Sequence, residues 1–136
     1  MILLMIKYIK FFMKLFLKIL IIAFFSTQTF ASNEKIGVMG FVIGDVFNQK
    51  GEKLKVGDAI CFGDTISAND GAKSQLLFID QTVMTIGSDT KLTIDEFIFD
   101  PSENSGKLLT TIISGSVKIL TGKISEKNPA NLEVKT

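Results

Sequence analysis

The chain contains no histidine, no tryptophan and no arginine, and its single cysteine is Cys61. Without histidine the usual proton shuttle and the commonest zinc ligand are both missing. Ser-His-Asp and Cys-His nucleophile arrangements are thereby excluded. One cysteine cannot form an intramolecular disulfide. Between the apolar neighbours of AICFG, Cys61 reads as a small buried residue, since free cysteine is among the most buried types. An intermolecular disulfide in an oxidising compartment is the sharper alternative. With no arginine and no clustered lysines, nothing supports binding to a phosphate backbone, so nucleic acid is not an expected partner.

The front of the chain, residues 1–31, reads as a leader. Ile19 to Phe25 is an uninterrupted apolar run, after which Ser26 to Ala31 turns small and polar. Thr29 and Ala31 stand three and one residues before a small-x-small cut, so cleavage between Ala31 and Ser32 is expected, with 32–136 as the mature domain. The apolar run is much shorter than the ~20 residues a transmembrane helix needs. Lys7, Lys10, Lys14 and Lys18 fall on one side of a helix, which suggests an amphipathic segment lying on an anionic membrane. The plainer reading starts translation at Met13, leaving Lys14 and Lys18 as the basic end of a compact leader.

The fourteen acids all follow residue 31, with eleven of the fifteen lysines, so 32–136 carries a formal charge of −3 and the whole-chain +1 misleads. Its pattern is one of short apolar runs between turn residues. Gly57-Asp58 and Gly63-Asp64 repeat after six residues, each feeding an isoleucine (Ile60, Ile66). Such a pair combines a backbone tolerant of positive φ with a side chain that bonds nearby amides, so each predicts a tight turn.

Strands are expected over Ile36–Phe47, from Leu54 and Val56 onward, and over Ala59–Ser67, Gln75–Ile79, Val83–Ile86, Lys91–Phe99, Leu108–Leu120 and Leu132–Val134. Turns are expected at Asn48–Gly51, Asn69-Asp70-Gly71 and Asp80-Gln81. The apolar phase slips at Asp95-Glu96, which predicts a bulge or corner. Asp100-Pro101 to Gly106 and Ser125 to Asn131 read as loops, and Ser114-Gly115 interrupts the long run before them. No window after the leader holds a helical period, so the domain is predicted all-β with little helix. Leu76, Phe78, Met84, Ile86, Leu92, Ile94 and Phe97 are the expected core.

The segment GDAICFGDTISANDGAKSQLLFIDQTVMTIGSDTKLTI resembles the FecR-like periplasmic domain, whose pattern of spaced Gly, Asp and apolar positions it follows. The resemblance spans roughly Ile36 to Thr136. The two Gly-Asp units and the many brief runs suggest an elongated, twisted, helix-like stack of β layers, with a β-sandwich as the alternative, and the resemblance likewise implies an all-β, solenoid-like fold. It also implies a periplasmic or secreted module of the Gram-negative envelope, making protein–protein contacts with a receptor or regulator and carrying no catalysis or cofactor. Asp80-Gln81 stands where the family has Asp-Gly, so a turn needing positive φ strains Gln81. In the family the strand matching NLEVKT is followed by further sequence, so the domain is expected to continue beyond Thr136. The competing class is a structural or surface-assembly domain, in which self-association is expected.

No catalytic, cofactor or metal site is assigned. Asp58, Asp64, Asp70, Asp80, Asp89, Asp95 and Glu96 lie mostly beside turn residues, where aspartate bonds local amides. Alignment to a calcium loop at Asn69-Asp70-Gly71 puts Ala68 and Ile66 at ligand positions, so it fails. Val38, Phe41, Ile43 and Phe47 invite an edge-strand docking reading, against which core burial is favoured. The polar loop containing Ser102, Glu103, Asn104 and Ser105 is the candidate partner-contact segment.

Overall fold

The computed structural model describes residues 1–24 and 34–136. Contacts divide the chain into two compact units, Met1–Ser32 and Asn33–Thr136. The first unit holds α1 (Ile2–Phe24), which has no acidic residue and runs through Met13 without interruption. Among the described residues, no helix is long and apolar enough to cross a membrane. Lys7, Lys10, Lys14 and Lys18 recur every three or four residues along α1 and so share a side of it. The expected cut between Ala31 and Ser32 lies outside the described residues.

The second unit is all-β. Its strands are β1 (Lys35–Ile43), β2 (Val46–Phe47), β3 (Ala59–Cys61), β4 (Thr65–Ala68), β5 (Lys73–Phe78), β6 (Val83–Ile86), β7 (Thr90–Asp100), β8 (Ser105–Ser114), β9 (Val117–Leu120) and β10 (Leu132–Lys135). They form two five-stranded sheets, the first ordered β3-β1-β5-β6-β9 and the second β10-β8-β7-β4-β2. All pairings are antiparallel except the parallel β10–β8 ladder. No solenoid coil closes among the described residues. One core takes side chains from both sheets, and the rings of Phe78 on β5 and Phe97 on β7 stack across it with centroids 5.5 Å apart.

The seven expected core residues are all buried. Ile36, Met39, Val46, Leu54, Ile60, Ile66, Leu108 and Ile124 join them. Among the described residues, the buried core cluster lies within the second unit. The phase slip near Asp95 is a bulge, the ladder between β7 and β8 shifting register between Ile94 and Glu96.

Several boundaries differ from expectation. Ile36–Phe47 and Ala59–Ser67 each break into two strands that belong to different sheets, at Gly44-Asp45 and at Gly63-Asp64. Turn residues inside an apolar run carry the chain from one layer to the other. Leu54 and Val56 start no strand: Leu54 drops into the core, while Val56 is exposed in a turn. Ser105 and Gly106 belong to β8 instead of a loop, because the β7–β8 hairpin extends to the Asp100–Ser105 pair. The expected loop at Ser125–Asn131 contains the end of a short helix, α2 (Lys123–Glu126), and a 3-10 turn at Pro129–Asn131.

Candidate interaction face

The two Gly-Asp units fold into the same turn. Asp58 N–H donates to Lys55 C=O at 3.1 Å, and Asp64 N–H to Cys61 C=O at 3.2 Å. Each carboxylate then reaches back, accepting from Lys55 N–H and from Cys61 N–H, both at 2.8 Å. Gly57 and Gly63 hold φ of 89° and 79°, a region that costs a side chain energy and costs glycine none. Asp64 also accepts from Gln49 Nε2 at 3.0 Å, and Gln49 Oε1 accepts from Thr65 N–H. These carboxylates organise backbone, as the spacing predicted.

Asp80 does the same at longer range. It is fully buried between β5 and β6, accepting from Thr82 N–H at 3.1 Å, Thr82 Oγ1 at 2.7 Å and Ile124 N–H at 3.2 Å. Thr82 Oγ1 accepts from Gly122 N–H, and Lys123 N–H donates to Asp80 C=O at 2.7 Å. The hairpin tip is thereby fastened to the start of α2, whose Ile124 completes the core. The same turn closes with Gln81 at φ 73°, a positive value that glycine adopts without strain and a side chain does not. Among the described residues, no group of three or more His, Cys, Asp or Glu could hold a metal ion.

Ser102, Glu103 and Asn104 form the tip of the β7–β8 hairpin, while Ser105 pairs with Asp100. Asp100 Oδ1 accepts from Ser102 Oγ at 2.6 Å and Ser102 N–H at 2.9 Å, which holds the Asp100 carboxyl below its ordinary range, the side-chain bond contributing most. Asn104 takes φ of 49° and Glu103 C=O accepts from Lys127 Nζ at 2.8 Å. The tip is thus a closed turn with internal bonds, shorter than the open loop expected.

The outward sides of the two sheets differ in chemistry. On the second sheet the solvent side mixes polar and apolar groups: Thr65 and Thr93 hydroxyls meet at 2.9 Å, Thr111 Oγ1 donates to Asp95 at 2.7 Å, Lys107 pairs with Glu96 at 3.1 Å, and Ile98 and Ile113 stand exposed among them. An antiparallel sheet with one wet side is expected to look this way. On the first sheet, register aligns Ala59, Val38, Leu77, Val83 and Leu120 in one outward row across all five strands. Phe41 and Ile43 extend it along β1. Leu77 is 37 %, Phe41 38 %, Ile43 54 % and Leu120 58 % exposed. The favoured core reading of Val38, Phe41 and Ile43 is therefore corrected. Register shifts between Lys35 and Gly37 and between Met39 and Phe41 break the alternation of β1, so Ile36 and Met39 face the core and these residues face outward. Because β1 is an interior strand of its sheet, the edge-strand reading fails for these three, whereas Phe47 lies on β2 at the edge of the second sheet.

The first sheet's strands contain Lys35, Lys73 and Lys118 and no acidic residue. Cys61 sits across from Lys35 on this side, half-buried instead of fully buried as expected, because β3 is a sheet edge. Partial burial, and then the Asp64 carboxylate, raise its thiol pKa. Sequence reasoning missed this face because β1 is apolar on both sides. Its signal lay in strand register, which a single sequence does not display.

The chain matches no protein-family model, no curated protein and no solved structure.

Proposed function

We propose that this protein is an exported, non-catalytic FecR-like binding or signal-relay module of the Gram-negative cell envelope, acting through protein–protein contacts. The observation that carries the reading is the apolar row across the solvent side of the first sheet. A contiguous exposed apolar surface is characteristic of an interaction site, and on the second sheet the exposed Ile98 and Ile113 stand among polar groups instead of in a row across all five strands. Of the carboxylates that could suggest catalysis, Asp58, Asp64 and Asp80 accept from backbone amides, while Asp95 and Glu96 bond Thr111 and Lys107 on the surface of β7. Of the two architectures the strand pattern left open, we favour the sandwich, since ladders from two sheets line one core.

The test is crosslinking in intact source cells, capture of this protein and mass spectrometry of what is retained. A receptor or regulator of the envelope among the products supports relay. Recovery of self-crosslinked chains alone refutes it and favours a structural role. That second reading has its own support in the two sheet edges described next.

A further inference from the structure

We propose that copies of this chain join by strand addition, the outer edge of β9 in one copy taking the outer edge of β10 in another. The inference concerns sheet edges and stands apart from the apolar face. β9 ends the first sheet and β10 ends the second, so among the described residues each has a strand on one side only. Such an edge is a template for another chain.

The side chains of the two edges are complementary. On β9, Val117 and Ile119 pack partly buried against the core, while Lys118 and Leu120 point outward. On β10, Leu132 packs against the core, and Val134, opposite the buried Thr110, shares its side. Glu133 and Lys135 take the other side. Opposed residues in a ladder project from the same side, so joined strands must match inward with inward. Setting Glu133 across from Lys118 does so in either strand direction, placing Leu132 and Val134 against Val117 and Ile119. The two half-covered margins of the core then cover each other, and an outward carboxylate meets an outward ammonium. Neither Lys118 nor Glu133 is in an ion pair among the described residues.

Pairings of like edges do less. Two β9 strands in matched register set Lys118 against Lys118 or against Leu120. Two β10 strands centred on Val134 pair Glu133 with Lys135 twice but leave Val117 and Ile119 uncovered. Because β9 and β10 are different surfaces, every copy carries one of each, and their union either closes reciprocally or propagates.

The experiment measures molar mass against concentration, by sedimentation or light scattering, for residues 33–136, the unit that contains the core cluster of the described residues. We expect concentration-dependent association. Lys118→Glu and Glu133→Lys are exposed changes that each weaken it roughly tenfold by turning an attractive cross-strand pair repulsive. The double reversal K118E/E133K restores association, and circular dichroism confirms that every variant keeps its strands. A monomer at all concentrations overturns the proposal, as do single reversals without effect or a double reversal that fails to restore. Sensitivity to Lys135→Glu with indifference to Lys118→Glu also overturns it, showing the β10–β10 pairing instead. Loss of the envelope partner with self-association intact would refute the proposed function and leave this inference standing.

Discussion

Replacing Asp80 by alanine removes the carboxylate that ties the β5–β6 tip to α2. Three donors lose their acceptor: Thr82 N–H, Thr82 Oγ1 and Ile124 N–H. Hydrogen bonds to a charged group contribute about 1.5–3 kcal/mol each, and a buried donor left unpaired costs about 1–3 kcal/mol. These terms overlap, and the exposed end of α2 can recruit water for some donors, so the net loss is about 3–4 kcal/mol. A domain of this size has about 5–15 kcal/mol in all, so the variant forfeits a large share of its stability. Urea denaturation of residues 33–136 reads this as a midpoint drop of about 1.5–2 M for a slope near 2 kcal/mol/M. Hydrogen exchange locates the effect at the Ile124 amide. Asp70→Ala is the control: among the described residues that exposed carboxylate accepts only from Ser88 Oγ at 3.2 Å, and its loss changes stability by less than about 0.5 kcal/mol. An Asp80→Ala variant within about 1 kcal/mol of wild type would refute the fastening role.

Gln81→Gly relieves a left-handed residue worth about 1–2 kcal/mol of strain while giving back about 0.5–1 kcal/mol of unfolded-state entropy, so it raises stability by about 0.5 kcal/mol in the same denaturation assay. Among the described residues Ser74 Oγ is buried without a hydrogen-bond partner, so Ser74→Ala is neutral or stabilising by up to about 1 kcal/mol, and a loss above that amount contradicts the assignment. Titration by NMR finds Asp100 below its ordinary value of 3.8, and Ser102→Ala moves it upward. Because its folded pKa is the depressed one, any stability Asp100 lends is present above the ordinary value and fades as pH falls through the lower one.

The core was legible because it alternates. Leu76, Phe78, Met84, Ile86, Leu92 and Ile94 follow a period of two, and that period alone places them on one side of a strand. Gly57-Asp58 and Gly63-Asp64 were legible because their chemistry is local, complete within four residues. Asp80 was read as a turn residue, which it is. Its bond to Ile124, forty-four positions along the chain, belongs to tertiary structure and has no sequence signature. Leu54 and Ile124 were missed for the opposite reason, being single apolar side chains that fill the core from irregular segments. The interaction face was hidden by β1, where Ile36, Val38, Met39, Phe41 and Ile43 are apolar on both sides, so that no pattern marks which side meets water. Only the pairing of β1 with β3 and β5 separates them.

The central claim is that the outward row of the first sheet binds a partner, and the most direct measurement compares what three versions of the protein capture from source cells. Phe41→Asp and Leu77→Asp place a charge on that row, and Lys91→Asp places one on the exposed second sheet. The account predicts that both first-sheet variants fold, by circular dichroism, and lose the envelope protein that wild type and Lys91→Asp retain. Retention of that protein by folded Phe41→Asp and Leu77→Asp would contradict it.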